Sequence, residues 1–235
     1  METNKDVEEI ISTYNSVVKV VDYDAKNQNE RAYGGMVREL KGHMQEWITE
    51  QIVKIAWKEL GGKLQDLEIN SKKIAIPIQK DYVSKIDNLT VKNFIMENIE
   101  SYKYGLSVDK HIFIKGRFVI GIECKAYTEN AMLKRILVDF HLLHNIFPGL
   151  SCYLFQLESQ LTGDYSKLNE ITYGSKSTHT LMSYFSDVQL HIFTFLAGER
   201  IVNQPIHEEK YFKELTNKQI RKAIDLLKKE MKNYL

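Results

Sequence analysis

A strand, a helix and a second strand follow one another between Phe118 and Leu157, and that order constrains the fold more than any other feature of the 235-residue chain. Phe118-Val-Ile-Gly-Ile-Glu-Cys-Lys125 is a run of apolar and β-branched residues, as a strand requires. From Asn130 to Asn145, Met132, Ile136, Leu137, Phe140 and Leu143 recur on one side at helical spacing, with His144 at the margin. Pro148-Gly149 breaks the chain, and Leu150-Ser-Cys-Tyr-Leu-Phe-Gln-Leu157 is then strongly apolar, the look of a strand covered on both faces. Two strands joined through a helix lie parallel in one sheet. Upstream, His111 to Ile114 and the 118–125 strand flank Lys115-Gly116-Arg117, so these two form a hairpin. One antiparallel hairpin and one parallel crossover make a mixed sheet, and the expected class is α/β.

The remaining segments supply cover for that sheet. Met36, Leu40, Met44, Trp47, Gln51 and Ile55 make an apolar stripe on a helix over Gly35–Leu60, which Gly61-Gly62 ends. Ile74 to Ile78 reads as a short extended segment kept off a central strand by Pro77, and Val91–Glu100 as a short helix. Asp22–Arg31 reads as a loop, Val188–Leu196 as a late strand, and Thr216–Leu235 as an amphipathic helix capped by Thr216 or Asn217. One domain over residues 1–235 is expected: a mainly helical portion to residue 100, a sheet core over 101–200, and a C-terminal helix over 201–235.

Composition excludes several classes. No apolar run approaches the roughly 18–20 residues that cross a bilayer, and the longest, Leu190 to Ala197, is interrupted by His191 and Thr194. The first residues lack the basic flank and apolar stretch of a secretion signal. Two Cys, at positions 124 and 152, make neither a disulfide framework nor a metal knuckle. A cytoplasmic protein without membrane contact is expected. The 32 Lys and Arg balance 31 Asp and Glu, a net charge of +1, which excludes a protein that coats nucleic acid by charge alone. The balance is uneven: 14 basic against 17 acidic residues over 1–100, and 8 against 5 over 201–235.

The end of the 118–125 strand holds the chemistry. Side chains alternate between faces of a strand, so Glu123 and Lys125 share one face while Ile122, Cys124 and Ala126 share the other. The hairpin returns Asp109 to the neighbourhood of Glu123. Two carboxylates and a lysine then converge, and this set suits phosphodiester hydrolysis. Asp109 and Glu123 are hard oxygen ligands for Mg²⁺, and the backbone carbonyl of Cys124 between them is a third. Lys125 can orient the attacking water or neutralise charge developing on a phosphate. The competing reading is an ion pair at a strand end, contributing little.

Asp109 followed by Glu123-Cys124-Lys125, on a hairpin that leads into a helix and an apolar strand, resembles the PD-(D/E)XK motif of type II restriction endonucleases. The likeness runs from about Leu106 to Leu157. Val108 stands where the motif's name has proline. The resemblance implies a restriction-endonuclease-like sheet flanked by helices, Mg²⁺-dependent cleavage of double-stranded DNA at a specific sequence, and a homodimer on a palindromic site. It also implies a glutamate from an N-terminal helix near the metal. Glu39, Glu46 and Glu50 flank the Gly35–Leu60 stripe with His43 among them, and Glu39 is the favoured one. A repair or junction-resolving nuclease, and a non-catalytic DNA-binding protein of the same fold, are the alternatives.

Other groups have plainer readings. Gln156 and Glu158 share a strand face that can approach the metal, but a glutamine satisfying a backbone group and a strand-end glutamate suffice. His141 and His144 fit a helix edge beside the core, and the Cys124 thiol fits a small apolar core position. For DNA, the polar stretch Ser159–His179 with Lys167 and Lys176 reads equally as a loop that enters a groove or as a solvated connection, and the trio Arg200, Asn203 and Gln204 has suitable chemistry for base edges. On the last helix Lys218, Arg221, Lys222, Lys228, Lys229 and Lys232 read first as a solvated face with pairs such as Asp225–Lys229, and second as phosphate contacts.

Overall fold

A computed structural model describes residues 2–25, 30–163, 165 and 176–235. Its centre is a five-stranded mixed sheet of order β1-β4-β5-β6-β7. The strands are β1 (Leu67–Asn70), β4 (Lys110–Ile114), β5 (Arg117–Thr128), β6 (Ser151–Ser159) and β7 (Leu190–Thr194). β1, β4 and β5 run antiparallel in turn, while β5, β6 and β7 are parallel. The expected α/β class, hairpin and crossover are all present. The hairpin turns on Lys115 and Gly116, both at positive φ (50° and 75°), the conformation a two-residue connection needs to match strand twist. Its crossover helix is α5 (Asn130–Ile146).

Helices cover both faces. On one, Ile112, Ile122, Cys124, Tyr153 and Phe155 pack with α1 (Glu2–Ala25), α2 (Glu30–Glu59) and α7 (Asn217–Met231). On the other, Phe118, Cys152 and Leu154 pack with Leu133, Leu137 and Phe140 of α5. Gly121 sits where a Cβ would come 2.9 Å from the Phe140 ring, so the absence of a side chain lets α5 close on β5 just before Glu123. A small ribbon of β2 (Ile74–Pro77) and β3 (Lys103–Leu106) stands apart from the main sheet, with α3 (Lys80–Ser84) and α4 (Leu89–Glu97) beside it. Pro77 ends β2, off the central sheet as expected. α6 (Lys176–Ser183) precedes β7.

Several boundaries and faces differ from expectation. Helix α2 begins five residues earlier than read, and Asp22–Ala25 and Glu30–Arg31 are helical rather than loop. The apolar stripe on α2 is rotated: Ile48, Ile52 and Ala56 are fully buried, Leu40 is exposed and Gln51 half-buried, while the Met36 side chain lies outside the described residues. Because α2 lies between the sheet and two other helices, it buries a wide face, and a single stripe of three- and four-residue steps underestimates it. Strand β1 escaped notice although Leu67-Glu-Ile-Asn70 alternates, because four residues at a sheet edge carry little signal. Thr216, not Asn217, caps α7, accepting from the Gln219 N–H at 3.3 Å. The terminal helix also pairs differently from expectation: Lys228, not Lys229, meets Asp225 at 3.7 Å. Arg221 and Lys228 both bind Glu59 of α2, the latter at 2.9 Å, so two of the six basic residues clasp helices together. Of the polar stretch Ser159–His179, Ser159 ends β6 and residues 176–179 are helical, as the start of α6, while residues 164 and 166–175, Lys167 and Gly174 among them, lie outside the described residues.

Candidate active site

Three side chains anticipated from spacing meet at the open end of the β4–β5 hairpin. Asp109 immediately precedes β4, while Glu123 and Lys125 alternate onto one face of β5. The Lys125 ammonium lies 2.6 Å from Glu123 Oε1 and 3.0 Å from Asp109 Oδ2. It also donates to the Cys124 carbonyl at 3.1 Å. The Cys124 N–H donates to the same Asp109 oxygen at 2.7 Å, which pins the carboxylate across the hairpin. Cys124 thus contributes its backbone; its thiol is buried on the opposite face, 3.3 Å from Thr49 Oγ1, and burial pushes its pKa up.

The electrostatics are those of an acid surplus. The three side chains keep 27% (Asp109), 13% (Glu123) and 30% (Lys125) of their surface. Burial, and then the charge of Asp109, raise the pKa of Glu123 in spite of Lys125. Burial alone would lower Lys125, but Glu123 and Asp109 outweigh it and hold the ammonium firmly protonated. Two carboxylates therefore share one cation, and an additional positive charge would relieve the remaining repulsion.

His111 was not anticipated. It is fully buried, its ring centroid lies 4.9 Å from that of Phe118 in a tilted contact, and its Nε2 accepts the Val108 N–H at 3.1 Å. Burial lowers the pKa of the imidazole, which keeps it neutral and able to accept. The motif's proline has no N–H; valine brings one, and the histidine satisfies it. The corner that carries Asp109 is thereby held in place. A histidine opening an apolar strand two positions after the acidic residue was the available signal.

Helix α2 approaches the cluster through Lys110, the neighbour of Asp109. Its Nζ lies 3.4 Å from both Glu46 Oε2 and Glu50 Oε2. Glu50 also holds Lys54 at 2.8 Å, and that hydrogen bond lowers its pKa. Glu46 is near enough for its charge to raise the Cys124 thiol further. Glu39 lies two helical turns earlier and is exposed, as is His43; among the described residues no hydrogen bond or ion pair joins Glu39 to Asp109, Glu123 or Lys125. Glu158 meets Lys213 at 2.9 Å, in keeping with its plainer reading, whereas Gln156, level with Lys125 on β6, donates to the Thr194 side chain at 3.0 Å instead of satisfying a backbone group. His141 pairs with Asp187 at 2.6 Å.

The donor set suits a hard divalent cation. Three oxygens, from Asp109, Glu123 and the Cys124 carbonyl, already converge on one cationic nitrogen. Among the described residues no three His, Cys, Asp or Glu side chains gather to enclose a metal by themselves. Two carboxylates and a carbonyl match Mg²⁺, which takes its remaining ligands from water and substrate phosphate. The set lacks the His and Cys donors around which zinc sites are built.

No helix among the described residues is long and apolar enough to cross a membrane. No family model and no solved structure matches the chain. Among curated proteins it is 52% identical over 233 residues to the type II restriction enzyme DdeI of Desulfomicrobium norvegicum, a match covering 97% of each chain.

Proposed function

The chain belongs to the type II restriction enzymes, and we propose that it cleaves double-stranded DNA at a specific sequence through the Asp109–Glu123–Lys125 cluster with Mg²⁺ as cofactor. We read it further as a PD-(D/E)XK nuclease, a single domain over residues 1–235, active in the cytoplasm as a homodimer whose two-fold axis matches a palindromic site. The observation that carries this reading is the convergence of two carboxylates and a carbonyl on Lys125 at the end of one hairpin.

In this reading Asp109, Glu123 and the Cys124 carbonyl would hold Mg²⁺. When bound, the ion supplies Lewis-acid activation of the scissile phosphate. The Cys124 N–H fixes the Asp109 carboxylate, and His111 fixes the backbone that carries it. Lys125, kept protonated by its two carboxylate neighbours, neutralises charge that grows on the phosphate as the bond breaks. Of the glutamates on α2, Glu46 is better placed than Glu39 to assist, since it reaches Lys110 beside Asp109.

Plasmid digestion with Mg²⁺, followed by sequencing of fragment ends, tests the function. Discrete fragments with one recurrent end sequence, symmetric about a two-fold axis, are expected. Nicks confined to branched or damaged DNA would instead identify a repair or junction-resolving nuclease. Binding without cleavage would identify a non-catalytic protein of the same fold.

A further inference from the structure

A second cluster of charged side chains occupies the C-terminal edge of β5 and β6. Tyr127 lies two residues beyond Lys125, about 7 Å further along the strand. The Arg200 guanidinium sits 3.9 Å above the Tyr127 ring and donates to Gln160 Oε1. Its backbone N–H donates to the Ser159 carbonyl at 2.7 Å, which ties Arg200 to the end of β6. Lys41 of α2 has its Nζ 3.4 Å from His207 Nδ1 and lies near enough to feel the charges of Glu158 and Arg200. Among the described residues neither Lys41 nor Arg200 is ion-paired with a carboxylate. Burial lowers the Lys41 pKa to about 8; Glu158 pulls it up, and the charge of Arg200 pushes it down again. Glu158 is only 5% exposed and is already engaged by Lys213.

Glu158 is the anion whose charge Lys41 feels, and it is shared with Lys213, so with Arg200 the cations here outnumber it and a further anion would complete the set. Lys41 is half-buried and bonded to His207, so its charge belongs to the folded cluster. Stacking on Tyr127 orients the Arg200 guanidinium while leaving N–H edges for a forked contact to phosphate. Phosphates rise about 3.4 Å per nucleotide along each DNA strand, so an anion at this distance from Lys125 falls within a few nucleotides of the cleaved bond.

We propose that Lys41 and Arg200 form a seat for a backbone phosphate of the DNA, close along the strand to the phosphate cleaved at Asp109, Glu123 and Lys125. The inference rests on the endonuclease reading and assigns the substrate a second anchoring point.

The test uses the full-length protein and a linear duplex spanning its own mapped cleavage site, bound without Mg²⁺ over a series of salt concentrations. Lys41→Gln and Arg200→Gln should each lower the slope of log affinity against log salt by about one. Between 50 and 200 mM salt the wild type then loses about fourfold more affinity than either variant. Lys229→Gln, at an exposed position on α7, should keep the wild-type slope. A methylphosphonate scan over the phosphates flanking the cut locates the seat: one neutral replacement should weaken wild type and leave Lys41→Gln unaffected. The seat is refuted if both variants, with wild-type unfolding midpoints, keep the wild-type slope, or if every replacement weakens Lys41→Gln as much as wild type. Failure of the wild type to cut any DNA would instead overturn the endonuclease reading.

Discussion

Two mixed clusters of acid and base, similarly half-buried, hold this molecule's charges in opposite proportion. At the clasp between α2 and α7, one carboxylate, Glu59, receives two cations, Arg221 and Lys228. At the hairpin, two carboxylates receive one cation, Lys125. Exposure does not separate them: the Glu59 side chain keeps 18% of its surface and Glu123 keeps 13%. The direction of the pKa shift does. Burial raises both glutamates, but at Glu59 the hydrogen bonds from Lys228 and Arg221 win and the shift is downward, whereas at Glu123 the charge of Asp109 adds to burial and the shift is upward. A satisfied carboxylate stabilises; an under-neutralised pair is arranged for something else to bind.

The largest effect expected from this contrast is on catalysis. Lys125→Ala should slow DNA cleavage by roughly 10²–10³-fold, the scale seen when one group that stabilises developing charge is removed, whereas Glu59→Gln should leave the single-turnover rate unchanged. Equal losses in both would erase the distinction. Next comes His111→Phe, which leaves the buried Val108 N–H without an acceptor and loosens the Asp109 corner. About a tenfold fall in the cleavage rate at saturating DNA is expected, with DNA affinity retained. Adding Val108→Pro removes the orphaned donor and should restore much of the rate. A double variant no better than the single one would show that His111 acts by packing alone.

On stability the order reverses. Glu59→Gln should cost about 1–2 kcal/mol in urea unfolding at constant m, because two cations lose their shared carboxylate. The smallest effect is the most diagnostic, since its sign differs between the clusters. Glu59 has a depressed pKa, so its stabilisation is present above the ordinary glutamate range and is lost as pH falls through its lower folded value. Glu123 has a raised pKa, so the folded state takes up a proton more readily than the unfolded one, and ionised Glu123 costs stability that is recovered as pH falls. From pH 7 towards pH 4, the stability of wild type relative to Glu59→Gln should decline, and relative to Glu123→Gln it should rise. Parallel trends would contradict the assignment of opposite charge balance.

Most of what the sequence disclosed came from periods that the chain cannot disguise. Strand alternation placed Glu123 and Lys125 together and Cys124 behind them, and the strand–helix–strand order predicted the mixed sheet, because both follow from local geometry. Choosing among Glu39, Glu46 and Glu50 did not, since all three lie near one side of α2 and only the docking of that helix decides which reaches Lys110. The clasp was illegible for the same reason: Glu59 and Lys228 are 169 residues apart. His111 was visible as a residue but not as an acceptor, because its role depends on a backbone N–H that becomes buried only when the hairpin closes.

The central claim is that Asp109, with Glu123 and the Cys124 carbonyl, holds the Mg²⁺ on which cleavage depends. Its most direct test is a Mg²⁺ titration of single-turnover DNA cleavage after chelation, comparing wild type, Asp109→Ala and Glu59→Gln. The account predicts saturable, Mg²⁺-restored cutting in wild type and Glu59→Gln, and no discrete fragments from Asp109→Ala at any Mg²⁺ concentration. Cutting by chelated wild type, or by Asp109→Ala at the wild-type rate, would contradict it.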